Sequence, residues 1–289
     1  MKRLTTVRIA VQCFLALLPC FAVEAHDAKP SLLKNIAALR EAKSDAEQDS
    51  INKLLKVDLR EFLGEANALL SPMDDVPLSR VDAPDGTFRL ITWNLPRTDG
   101  SHVYEGFLLV KQGRTTVLHE LHDATPSLSS PEAVELGTDK WYGALYYHVQ
   151  PVTKGGRTYY TLLGWKGFNK VETRKVIDVL SFRGGKPRFG AELFGEGKVR
   201  AKRKVYAFSA QATMVLRWEP EMEAILLDHL SPRRADMEGK AAYYGPDMTH
   251  DAYFWYKGHW WLEPDIDARD KRLTGKNYKP PPKELEPKP

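Results

Sequence analysis

The sequence predicts a mainly β fold of the α+β class, either an antiparallel β-sandwich or a barrel-like meander of hairpins, with N-terminal helices packed on it. Three observations lead there. Runs rich in Val, Ile, Leu, Tyr, Phe and Trp follow one another from position 88 to 263, bounded by Gly, Pro, Asp or Asn. Several turns between them join glycine to a basic residue or histidine: Lys111-Gln112-Gly113-Arg114, Lys154-Gly155-Gly156-Arg157, Arg183-Gly184-Gly185-Lys186 and Lys257-Gly258-His259. Glycine there supplies the positive φ of a tight hairpin. Finally, apolar neighbours such as Leu90-Ile91 and Val205-Tyr206 point to opposite faces of a strand, so both faces need cover.

The first element, residues 1–25, is an address rather than part of the fold. Lys2, Arg3 and Arg8 lead into an apolar run from Ile9 to Phe21, and Val23-Glu24-Ala25 places small residues at the −3 and −1 positions of a cleavage site. That is the pattern of a secretory signal peptide and predicts export to the periplasm or the medium after cleavage near Ala25. The run is short of the about 20 apolar residues that span a bilayer, and no later segment is apolar enough to do so. Cys13 and Cys20, the 2 cysteines of the chain, lie inside it. A mature chain starting at His26 would therefore use no disulfide, thiol nucleophile or cysteine metal site. The 42 basic and 38 acidic residues give a formal charge of +4. Three of those basic residues sit in the leader, so the remainder is closer to neutral and implies no nucleic-acid partner.

Residues 26–85 read as a helical segment and linker. Leu32, Ile36 and Leu39 share one helical face, and Ser44-Asp45-Ala46-Glu47 has the spacing of a capping box. Ile51, Leu54, Leu55, Leu59, Phe62, Ala66 and Leu69 continue at spacings of three and four, and Ser71-Pro72 is the expected stop. The β-rich domain is placed at 86–270, with strands at 88–95, 102–111, 115–122, 144–152, 158–165, 174–182, 188–194, 203–209, 213–218, 224–230, 253–256 and 259–263. Residues 271–289, with Pro280-Pro281-Pro282, Pro287 and Pro289, read as an extended, disordered tail.

Chemistry-bearing side chains gather towards the C-terminal end. Asp228-His229 closes an apolar strand, Asp247, His250 and Asp251 fall in an expected loop, and Asp265 follows the last strand, while Trp255 and Trp260 are candidates for stacking against a ligand. Converging carboxylates suit a hard cation such as Ca2+, and two of them across a cleft suit acid–base cleavage of a glycosidic bond. No cofactor is predicted. Asp178 stands between Ile177 and Val179 in an apolar run, so if buried it must be hydrogen-bonded. His119-Glu120-Leu121-His122 is one residue short of the zincin spacing and lies on a strand, where positions three apart face opposite ways. No Gly-x-Ser-x-Gly, P-loop or dinucleotide fingerprint occurs.

Tyr160-Thr161-Leu162-Leu163-Gly164-Trp165, Lys175-Val176-Ile177-Asp178-Val179-Leu180, Asp228-His229-Leu230 and Tyr244-Gly245-Pro246-Asp247 resemble segments of a group of exported proteins of Bacteroidota-type bacteria. The likeness covers about 86–268. It implies an envelope or secreted protein with a β-rich domain and no assigned activity. Together these readings predict an exported envelope protein that is non-catalytic and either binds an envelope or glycan ligand or serves a structural role. The alternatives are a glycan or peptidoglycan hydrolase working through a pair of aspartates, and an assembly protein docking through the N-terminal helices.

Overall fold

The computed structural model describes residues 28–195, 200–267, 269 and 272–280. Residues 1–27, where the sequence predicts a signal peptide, and the end from 281 onward lie outside the described residues. The described chain is mainly β, as predicted. Two helices, α1 (Ala28–Glu41) and α2 (Asp45–Gly64), precede thirteen strands that pair antiparallel in three sheets, and no barrel closes.

The first sheet runs β1 (Ser79–Asp82), β2 (Phe88–Pro96), β3 (His102–Gln112) and β4 (Thr115–His122) in chain order. The second runs β5 (Leu145–Lys154), β6 (Arg157–Gly167), β7 (Glu172–Arg183) and β8 (Lys186–Phe189), with β9 (Lys204–Ser209) also pairing along β7. The third runs β10 (Leu216–Glu219), β11 (Ala224–Pro232), β12 (Tyr244–Tyr256) and β13 (His259–Glu263). The glycine-plus-basic turns are the hairpins that join them. At Gly155-Gly156 and Gly184-Gly185 both turn residues have positive φ (58° and 74°, 57° and 76°), the backbone of a two-residue turn whose twist matches its strands.

The sheets stack, which explains why alternation along the strands is unclean. Leu90, Leu108 and Val110 of the first sheet meet Tyr146, Leu162, Val176 and Leu180 of the second. The opposite face of the first sheet, with Ile91, Trp93, Leu95, Phe107 and Leu109, lies under Leu32, Ile36, Leu55, Leu59, Phe62 and Leu63 of the helices. Leu163, Ile177 and Val179 on the far side of the second sheet pack on Leu216, Ile225, Leu227, Tyr253 and Trp260 of the third. Leu90 and Ile91 thus serve two different cores, and so do Val205 and Tyr206. The second sheet is buried on both faces.

Several boundaries differ from expectation. Ser44 caps α2 as predicted, its hydroxyl accepting from the Glu47 N–H at 3.2 Å, while the Glu47 carboxylate reaches back to the Lys43 N–H at 2.8 Å. The helix stops at Gly64, before the expected Ser71-Pro72, and Leu54 and Ala66 of the predicted stripe are exposed. β1 falls in the expected linker, because a four-residue strand between Pro77 and Pro84 has too short a pattern to read. The segment 245–251, an expected loop from its Gly-Pro-Asp, lies within the 13-residue β12, drawn into the ladder by pairing with β11. Tyr278, placed in the expected tail, is buried and stacks on Phe254 with ring centroids 4.6 Å apart. No helix among the described residues is long and apolar enough to cross a membrane.

Candidate functional site

At one end of the second sheet, beneath the connection after β4, lies a cavity of about 960 Å3. Its floor is a row across three adjacent strands: Lys166 on β6 pairs with Arg174 on β7, which pairs with Ala207 on β9. These residues continue the inward faces Tyr160, Leu162, Gly164 and Leu180, Asp178, Val176, so alternation aims them between the sheets. Its roof is the connection after β4, with Thr125, Leu128, Ser130, Pro131 and Glu132, and His102 and Tyr142 close one side.

Lys166 is almost fully buried. Its ammonium donates to the Thr125 hydroxyl at 2.8 Å and to the Gly143 carbonyl, and lies 4.0 Å from the Tyr104 ring centre and 4.5 Å from that of Tyr142. Burial pushes its pKa down to about 7; Asp123 opposes this and Arg174 adds to it. Asp123 organises the same corner. It accepts from the Thr125 N–H (2.9 Å) and hydroxyl, from the Gly143 N–H (3.3 Å) and from the Tyr104 N–H (3.2 Å). A side chain at Gly143 would put its Cβ 2.2 Å from that of Tyr104, so only glycine permits this approach.

Arg174 is the group best placed to hold a ligand. Its guanidinium stacks 3.5 Å from the centre of the Phe168 ring, its Nε donates to Glu172 at 2.7 Å, and its Nη1 donates to the Tyr142 hydroxyl at 3.0 Å. Among the described residues its Nη2 has no acceptor, which leaves two N–H groups available. Asn94 Nδ2 lies 2.9 Å from His102 Nδ1. An amide nitrogen only donates, so a neutral His102 carries its proton on Nε2. Burial, helped by Lys166, lowers the His102 pKa. Arg200 also borders the cavity, with its Nη1 2.9 Å from His259 Nε2, and the acid in the lining, Glu132, is engaged by the Val205 N–H at 2.7 Å.

The roof is anchored from below by Asp178. This acid is fully buried, as its apolar setting predicted, and is satisfied: it accepts from Arg203 Nε at 3.1 Å, from the Tyr146 hydroxyl at 2.9 Å and from the Val179 N–H at 2.8 Å. Arg203, also fully buried, donates from Nη1 to the carbonyls of Pro131 and Val134 (3.0 Å) and from Nη2 to that of Phe189 (3.1 Å). One ion pair therefore ties the roof segment 131–134 to the second sheet.

The C-terminal candidates lie elsewhere and divide into two pairs. His229 Nδ1 donates to Asp251 at 2.9 Å, while His250 Nε2 stands 3.4 Å from Asp228. Asp228 pairs with His250 and Leu227 with Asp251 across the β11–β12 ladder, so Asp228 and Asp251 project from opposite faces. Asp228 also accepts from the Val215 N–H (2.8 Å), and Asp251 from the Asp265 N–H (3.1 Å). The Asp251 hydrogen bond raises the His229 pKa. Asp247 is exposed and bonds Thr249, which lowers its pKa. Among the described residues no group of three or more His, Cys, Asp or Glu is placed to hold a metal ion. Trp260 is fully buried, its indole N–H on Thr161 at 3.0 Å, and Trp255 is half-buried against it.

Sequence reasoning missed Lys166, Arg174, His102, Thr125 and Tyr142. One signal was present: Lys166 and Arg174 interrupt apolar positions at a spacing of two, as Asp178 does. Comparison of the chain with protein-family models, curated proteins and solved structures finds no match.

Proposed function

We propose that this chain is an exported, non-catalytic binding protein whose cavity at one end of the second sheet takes a small amphiphilic anion. The observation that carries this reading is Arg174 on the cavity floor: Glu172 and the Tyr142 hydroxyl engage its Nε and Nη1, and among the described residues its Nη2 has no acceptor. The ligand's anionic group would meet Nη2 of Arg174, in the field of the buried Lys166. Its apolar body would lie along Leu128, Pro131, Phe168 and Val205, which line the same space. Pockets of this size with few placed polar groups are the usual form of a small-molecule site. Export rests on the leader pattern of residues 1–25.

The test uses residues 26–289 and two ligands that differ in one group, decanoate and decanol. Decanoate is expected to raise the melting temperature in a concentration-dependent way and decanol to leave it unmoved. Arg174→Met should weaken decanoate binding at least about tenfold, near 1.4 kcal/mol, with an unchanged far-UV spectrum. Equal stabilisation by decanol, or none by either, would overturn the reading. N-terminal sequencing of the protein recovered outside the cytoplasm should begin at His26.

A further inference from the structure

A second concave site lies on the far side of the molecule, between the second and third sheets. Trp218, Trp255 and Trp260 line a cleft of about 400 Å3 together with Gln150, Thr153, Glu223 and Lys276. Trp260 is its fixed floor, fully buried and tied through its N–H to Thr161. Trp255 meets Trp260 edge to face with centroids 5.1 Å apart, and Trp218 does so at 6.4 Å. Both of these outer tryptophans remain part-exposed. Behind Trp218 the ring of His148 stacks in parallel, 6.2 Å away at 12°, which holds the indole plane in place. The two outer indole N–H groups have no acceptor among the described residues. Around them stand a carboxamide from Gln150 and the Glu223–Lys276 ion pair, N to O 3.2 Å.

This combination has a chemical meaning. Flat, rigid aromatic surfaces offer a π face to polarised C–H groups. The polar groups beside them supply donors and acceptors directed along the edge of whatever stacks there. A pyranose ring has the matching two-sided character, with an apolar C–H face and a rim of hydroxyls. An acyl chain would leave Gln150, Glu223 and the indole N–H groups facing hydrocarbon, which costs free energy. We propose that this cleft is a saccharide-binding site, in which one sugar ring stacks on Trp255 and its hydroxyls bond Gln150 and the Glu223–Lys276 pair. It is separate from the cationic cavity and shares no lining residue with it.

The experiment is titration of residues 26–289 with cellotetraose, maltotetraose and tetra-N-acetylchitotetraose, followed by tryptophan fluorescence and calorimetry. At least one oligosaccharide should give a saturable change in emission with heat of binding. Trp255→Ala should lower that affinity at least about tenfold, which corresponds to about 1.4 kcal/mol, and Trp255→Phe should retain part of it. Gln150→Ala, a milder change that leaves the tryptophans packed, should weaken binding about threefold. Arg174→Met should leave it unchanged, which separates this site from the cavity. The proposal fails if none of the three sugars binds, if binding survives Trp255→Ala in full, or if a polyproline peptide saturates the cleft while the sugars do not.

Discussion

The two faces of the second sheet, read along the single strand β7, are built on different principles. Arg174, Val176, Asp178 and Leu180 look towards the first sheet, and Ile177 and Val179 look towards the third. The first interface contains three buried charged side chains, Lys166, Asp178 and Arg203, and opens into the large cavity. The second is held by apolar packing and neutral hydrogen bonds, Trp260 to Thr161 and the Tyr206 and Tyr253 hydroxyls at 2.8 Å; its buried acid, Asp251, sits at the rim beside His229. The lesson is that burial on both sides of a sheet does not make both sides equivalent. One face can be given to packing, so that the other can carry a polar network whose cost the fold tolerates.

The largest effect that would sharpen this contrast comes from Arg203→Met. It strips Asp178 of its cationic partner in a site with no water access and frees the carbonyls of Pro131, Val134 and Phe189. We expect a loss of about 3–5 kcal/mol in chemical denaturation. A loss under 1 kcal/mol would mean that the roof segment is held by something else.

Next comes the pH dependence set by Lys166. In the folded protein the amine loses its proton near pH 7, whereas in the unfolded chain it keeps it to about 10.5. Between those values the unfolded state binds the extra proton, so stability rises with pH. Below pH 7 the amine is charged in both states and the cost of burying it stands in full. The gain across the window is roughly 3–5 kcal/mol. Lys166→Met should abolish that rise in urea melts taken at pH 7, 8 and 9. Identical slopes in both proteins would show that the buried amine is not the group responsible.

The smallest effect is on the apolar face. Ile177→Val should cost about 0.5–1.5 kcal/mol, since it removes one buried methylene, and the loss should be the same at pH 7 and pH 9. A pH-dependent loss would mean that the two faces are coupled through β7, and the contrast would fail.

Much of the architecture was legible in the chain. The hairpins were marked by their glycines, α2 by Ser44 and Glu47, and the need for cover on both faces by Leu90-Ile91 and Val205-Tyr206. The candidate site was legible only in part. That Asp178 had to be paired followed from its apolar neighbours, but its partner Arg203 is 25 residues away. The C-terminal acids looked like one cluster because they are close in sequence. Strand alternation sends Asp228 and Asp251 to opposite faces once β12 is recognised.

By itself, then, the sequence determined the local elements: strand after strand, glycine turns, a capped helix, and a buried acid in need of a partner. These depend on interactions within a few residues, which composition and spacing express directly. Only the tertiary structure decided which faces meet, that Lys166 and Arg174 share a cavity floor, and that a roof pinned by Arg203 covers them. Those outcomes depend on contacts such as Arg203 to Pro131, 72 residues apart, and the local chemistry of either residue carries no record of the other.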